Sequence, residues 1–173
     1  MDLLQLAGAL LVGHSMGCQV AAEVAARRPD LVCGLVLVAP TSDPGARTSA
    51  CQIVRMLRGA VYDRSSLMVG TVLDYTRAGV RVLWHEPRQL VERRIEEVLP
   101  HVQVPVRVMR GARDRIVPQA WAEEVAHIAG APTPVVVARS GHDVPYDDPA
   151  AVARVTLELA ESIQPARPEP SVR

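Results

Sequence analysis

Residues 31–39 read Leu-Val-Cys-Gly-Leu-Val-Leu-Val-Ala, with no charge and no hydroxyl or amide side chain among them. A helix that buries one face would space its apolar residues three and four apart, and a half-exposed strand would alternate them. This run does neither. A continuous Val- and Leu-rich stretch of this length is the pattern of a strand covered on both faces, which arises where helices pack on both sides of a parallel sheet. The run therefore predicts an α/β architecture and requires helices before and after it.

The neighbouring segments supply them. Residues 9–12 form a short apolar run, Gly13 follows, and residues 16–28 read as an Ala-rich helix, with Val20 and Val24 on its apolar face. Arg27 and Arg28 suit the last turn of that helix, and Pro29 stops it. Further on, residues 104–110 predict a strand ended by Gly111, and residues 118–129 predict a helix with Trp121, Val125 and Ile128 along one side. Pro118 in the first turn and Gly130 just past the end mark its limits. Residues 133–138 predict a fourth strand. The last helix has Asp148 as its N-cap, Pro149 at the first position, and Val152, Val155, Leu159 and Ile163 as its apolar stripe. Strands separated by helices run parallel, because each crossover returns the chain to the same end of the sheet. The fold class expected is α/β, with a parallel sheet of about four strands and flanking helices.

Between residues 41 and 99 the strand pattern disappears. Val91, Ile95 and Val98 keep helical spacing, and breaks near Gly45, Gly59, Gly70 and Gly79 divide the segment into short helices. The domain organisation expected is a core from residues 1–40 and 100–163, a helical insertion at 41–99, and a disordered tail at 164–173, which holds three prolines.

Composition excludes several functions. With 19 basic and 19 acidic residues the formal charge is +0, so no basic footprint for nucleic acid is present. Mean hydropathy is +0.11. No apolar run approaches the length of a membrane-spanning helix, so no membrane association is expected. The run at residues 3–12 lacks the cationic flank of a signal peptide, with Asp2 in its place, and reads as the tail of a helix followed by a strand. Three cysteines, Cys18, Cys33 and Cys51, form no close pair, which fits a reducing compartment. The expected location is the cytoplasm. No phosphate loop and no metal-ligand spacing occurs, so no cofactor and no metal is expected.

Ligands of α/β sheets gather at the carboxyl ends of the strands. Three chemically suggestive residues stand just beyond predicted strands. Gly13-His14-Ser15-Met16-Gly17 fits G-x-S-x-G between a strand and a helix, a context in which a sharp turn strains the serine backbone and presents its hydroxyl. Side chains at either glycine would be expected to collide across that turn. A serine hydroxyl needs a base, and His142 follows the last predicted strand. Asp114, after the preceding strand, could orient the imidazole. His14 is expected to pack at the turn, pointing away from the serine oxygen. The remaining histidines and the Arg93-Arg94 and Arg113/Arg115 clusters are expected to be solvated.

The elbow, the segment Gly111-Ala112-Arg113-Asp114-Arg115-Ile116-Val117-Pro118, and the segment beginning Ser140-Gly141-His142-Asp143 resemble three signature regions of the α/β-hydrolase superfamily of serine esterases and lipase-like enzymes. The resemblance runs from residue 10 to about residue 163. It implies Ser15 as nucleophile, His142 as base, Asp114 as acid, and the backbone N–H of Met16 as an oxyanion donor. Asp43, after the second predicted strand, is the alternative acid. Residues 41–99 would correspond to the cap, where Met68, Val72, Leu83 and Trp84 are candidates for a substrate pocket. The activity implied is hydrolysis of a small-molecule carboxylic ester or related acyl bond through an acyl-enzyme.

Two departures accompany this resemblance. Cys18 stands where relatives commonly carry glycine and would crowd the helix–strand contact. About a dozen residues precede Ser15, where the family has four earlier strands and a loop with a second oxyanion donor. The chain is thus expected to be the C-terminal portion of such a fold, truncated or mis-started at its N-terminus, with the elbow strand at an open sheet edge through which it could self-associate. The alternative expectation is a non-catalytic fragment, or a subunit that needs a complementary chain.

Overall fold

The computed structural model describes residues 8–41, 43–46, 54 and 94–163. Among these, strands β1 (Ala9–His14), β2 (Val32–Val38), β3 (Val106–Gly111) and β4 (Val135–Val137) form one parallel sheet in the order β1-β2-β3-β4. All three pairings are parallel, so the carboxyl ends of the four strands point to the same side. The expected strands at 9–12, 31–39, 104–110 and 133–138 all form, the fourth shortened to three residues.

β2 explains the layering. It pairs with β1 from Leu10↔Gly34 to His14↔Val38, and with β3 from Leu35↔Val106 to Val38↔Met109. Leu35 and Leu37 pack on one face with Cys18, Ala22 and Ala25 of α1 (Gly17–Arg27). Ile95 of α2 (Ile95–Val98) joins them there, as do Trp121 and Val125 of α3 (Gln119–Ile128). Val36 and Val38 pack on the other face with Val155 and Leu159 of α5 (Pro149–Ile163). All four β2 residues are 0% exposed, as a strand covered on both faces requires. Trp121 also donates its indole N–H to the Pro40 carbonyl at 3.0 Å, fixing α3 beneath the end of β2.

Of the two residues expected on the buried face of α1, Val24 packs against the core and Val20 does not. Val20 is 51% exposed. Cys18, Ala21, Ala22 and Ala25 are spaced three and four apart and so share the face turned to the sheet, with Gln19 buried beside them. Val20 is left on the outer side. For α5 the expectation holds: Val155 and Leu159 are buried, and Asp148 Oδ1 accepts the Ala151 N–H at 2.9 Å as an N-cap.

Most of the 41–99 insertion lies outside the described residues, as do residues 1–7, Cys51, the candidate pocket residues Met68, Val72, Leu83 and Trp84, and the 164–173 tail. Its described end joins the core: Ile95 and Leu99 are each 1% exposed, beneath α1. β1 is at one edge of the four described strands, with Val12 46% exposed.

Candidate active site

β1 ends at His14, and Ser15 turns the chain into α1 with φ of 54°. That left-handed conformation costs a non-glycine residue about 1–2 kcal/mol. The surroundings hold it: the Ser15 N–H donates to the Val38 carbonyl at 2.9 Å, which continues the β1–β2 ladder one residue past the strand. Gly13 is required by close approach, since a Cβ there would lie 2.7 Å from the Gly17 oxygen and 2.8 Å from the Cys18 Cα. Gly17 is not required in the same way. A Cβ there meets no described atom within 4 Å, so the expected collision applies to one of the two flanking glycines. The difference is one of direction: the missing Cβ of Gly13 points into the first turn of α1, and that of Gly17 points away from every described residue.

Cys18 fits where crowding was expected. Its sulfur is buried 3.2 Å from the Gly13 carbonyl and 3.3 Å from the Val38 carbonyl, between the ends of β1 and β2. Burial pushes the thiol pKa up, against the smaller opposing effect of its backbone hydrogen bonds, so it remains a protonated donor. Cys18 and Cys33 form no disulfide.

Asp114 lies in the turn after β3 and is 5% exposed. Its Oδ1 accepts the backbone N–H groups of Ile116 at 2.8 Å and Val117 at 2.9 Å. Burial opposes the charge most strongly. The hydrogen bond and charge of His142, with the two backbone donors, outweigh it and hold the carboxyl below its ordinary range. Arg110, the penultimate residue of β3, fastens the same turn. Its guanidinium donates to the carbonyls of Asp114 at 2.9 Å and Val117 at 3.1 Å, and to Gln119 Oε1 at 3.0 Å.

His142 lies in the loop between β4 and α4 (Val144–Asp147) and is 8% exposed. Arg139, with φ of 68°, turns the chain into that loop. The Arg113 N–H donates to the Ser140 carbonyl at 2.9 Å, and the Gly141 N–H donates to Asp147 Oδ2 at 2.9 Å. The turn that carries Asp114 and the loop that carries His142 touch so closely that a Cβ at Gly111 would run into the carbonyls of Ser140 and Gly141.

These loops bring the three expected side chains together. His142 Nδ1 is 3.0 Å from Asp114 Oδ2, and Nε2 is 2.9 Å from Ser15 Oγ. A carboxylate only accepts, so Nδ1 carries the proton of the neutral ring. Nε2 is then a bare acceptor for the serine O–H. The chain of bonds runs Ser15 O–H to His142 Nε2, then His142 Nδ1–H to Asp114. Asp43 is not part of it: its carboxylate accepts the Gly45 N–H at 2.8 Å, and the Nδ1 of His142 is engaged by Asp114. Met16 is the N-cap of α1, so its N–H has no intrahelical acceptor and stands beside the serine. Among the described residues, no three His, Cys, Asp or Glu side chains group so as to hold a metal ion, and no helix is long and apolar enough to cross a membrane.

The family model described as the alpha/beta hydrolase family matches residues 2–155. The chain belongs to this family. Alpha/beta hydrolase structures resemble it closely in fold. A serine hydrolase involved in carbazole degradation superposes with a TM-score of 0.69 at 21% identity, over 90% of this chain and 64% of the other. For E-2-(acetamidomethylene)succinate hydrolase the TM-score is 0.69 at 20% identity, over 92% and 69%. For a meta-cleavage product hydrolase from Pseudomonas fluorescens it is 0.67 at 17% identity, over 95% and 68%. The chain thus spans 64% of the length of the first of these alpha/beta hydrolases, less than two thirds. No curated protein matches it.

Sequence reasoning missed two contributors to the site, Arg110 and Asp147, and the partner of a third, His14. Arg110 ends an apolar run that also holds Arg107, so its residue type did not single it out. Asp147 carried no signal beyond its place in an acidic pair. His14 was placed at the turn, without its contact to the base loop, in which Nε2 lies 3.1 Å from the His142 carbonyl.

Proposed function

We propose that this chain carries the reacting groups of a serine hydrolase that cleaves a carboxylic ester or related acyl bond. The observation that supports this reading most is the unbroken run of bonds from Ser15 Oγ through His142 to Asp114, 2.9 Å and 3.0 Å long. Ser15 Oγ attacks the substrate carbonyl as its proton passes to Nε2 of His142. Asp114 holds the ring in the tautomer that accepts this proton and stabilises the imidazolium that results. The oxyanion forms against the Met16 N–H at the start of α1, where helix polarity favours negative charge. Collapse expels the alcohol, which takes the proton back from Nε2. Water, deprotonated by the same nitrogen, then hydrolyses the acyl group from Ser15.

A fluorophosphonate probe is expected to label wild-type protein on the peptide that contains Ser15, and to leave Ser15→Ala unlabelled. Labelling of neither protein, or of both equally, contradicts the reading.

A second reading, a subunit that needs a complementary chain, draws on β1, whose outer edge is unpaired among the described residues and whose Val12 is 46% exposed. If it holds, labelling at dilute concentration is weak and rises as the chain associates. Labelling independent of concentration rejects it.

A further inference from the structure

His14 immediately precedes the serine, yet its ring is turned to the loop of the base. Its Nε2 is 3.1 Å from the carbonyl oxygen of His142 and 3.7 Å from Asp143 Oδ1, and the two imidazole rings are 5.2 Å apart with planes inclined at 45°. A carbonyl only accepts, so Nε2 of His14 carries a proton and donates it. The base loop is also fastened from the acid turn, by Arg113 to Ser140, and from α4, by Asp147 to Gly141. His14 adds the fastening from the nucleophile's own turn.

We infer that His14 is a positioning residue, which ties the backbone of His142 to the serine elbow and so maintains the distance between Ser15 Oγ and His142 Nε2. β4 is only three residues long, so the loop it leads into gains little rigidity from the sheet. Ser15 is set by strain and close packing at the end of β1. A bond from the adjacent residue to the His142 carbonyl transmits that fixed position to the base. His14 serves best as a neutral donor, because a charge on it would oppose the imidazolium that forms on His142. Its surroundings favour neutrality. Burial and the neighbouring His142 lower its pKa, against the opposing effects of the His142 carbonyl, Asp143 and Asp114.

This inference rests on the serine-hydrolase reading, and the experiment separates the two. Fluorophosphonate labelling rates at pH 8 are compared for wild type, His14→Gln, His14→Asn and His14→Phe, and the His142 Nδ1–H resonance is recorded by NMR for each. Gln keeps a donor of sufficient reach, Asn has a donor that falls short, and Phe keeps the ring without a donor. The expected result is labelling within about threefold of wild type for Gln, and about tenfold slower for Asn and Phe, the scale of one neutral hydrogen bond. The Nδ1–H signal is expected to stay sharp in Gln and to broaden in Asn and Phe. Equal rates in all four proteins, or Gln as slow as Phe, overturn the inference. If wild type is not labelled, the hydrolase reading fails and the resonance alone decides: an unchanged signal in Asn and Phe overturns the positioning role. Should Phe fail to fold, Asn against Gln makes the same comparison.

Discussion

The turn that carries Asp114 and the turn that carries Ser15 lie at the same end of one sheet and are held by different forces. Around Asp114 the fastening is polar. Two backbone N–H groups meet its Oδ1, and the Arg110 guanidinium spans the carbonyls of Asp114 and Val117. Around Ser15 one backbone bond, from its N–H to the Val38 carbonyl, is joined by close packing. Gly13 leaves room for the first turn of α1, alanines bring that helix against the sheet, and the serine backbone sits at φ of 54°. The contrast follows from what each residue must do. A buried carboxylate keeps its charge only if donors replace water. On the proposed function, Ser15 must project from its turn toward substrate and His142, so its backbone is held by packing and a main-chain bond rather than by its side chain.

The two turns should therefore fail in different ways: the acid turn when donors or charge are removed, the elbow when atoms are added. The largest effect is expected at the acid. Asp114→Asn no longer demands a proton on Nδ1, which favours the wrong tautomer of His142. Fluorophosphonate labelling is expected to slow by about 10³–10⁴-fold. The same variant tests the charge. Because the folded-state pKa of Asp114 is lowered, the unfolded chain takes up the proton first as pH falls below about 4. Asp114 thus contributes stability above that pH and loses the contribution as pH falls through the lower folded value. Denaturant melts between pH 7 and pH 3 should accordingly show a smaller acid loss for Asp114→Asn than for wild type.

At the elbow, Gly13→Ala puts a methyl group against backbone atoms that cannot rotate away. A destabilisation of about 3 kcal/mol is expected in denaturant unfolding, at the upper end for overpacking. Arg110→Met removes the donors from two carbonyls of the acid turn, and about 2 kcal/mol is expected to be lost. Gly17→Ala is the control that sharpens the contrast. It adds the same methyl group four residues on, where no described atom lies within 4 Å, and should leave stability within about 0.5 kcal/mol of wild type. If Gly17→Ala proves as costly as Gly13→Ala, the steric account of the elbow is wrong.

The parts legible in the sequence were those written locally. The both-faces burial of β2 was visible in nine consecutive residues, and the cap of α5 in Asp148-Pro149. Ser15, Asp114 and His142 were found because each follows a strand, and parallel strands deliver their ends to one side. Val20 of α1 was misjudged because hydrophobicity ranks it above Ala21, whereas its position around the helix, opposite the Cys18, Ala21, Ala22 and Ala25 face, decides its exposure. The partners of Arg110 and His14 depend on contacts rather than on residue type. His14 meets a carbonyl 128 residues away, and the Arg110 guanidinium finds its acceptors only once the turn after β3 has closed. Neither distance leaves a trace in periodicity.

The central claim is that Ser15 is made nucleophilic by His142. Rapid mixing with p-nitrophenyl acetate, followed by acid quench and peptide mapping, tests it at the atom concerned. The account predicts a burst of p-nitrophenol stoichiometric with protein and an acetyl group on the Ser15 hydroxyl, both lost in His142→Ala. An acetyl group on another residue with Ser15 unmodified, or the same burst on Ser15 without the imidazole, would contradict it.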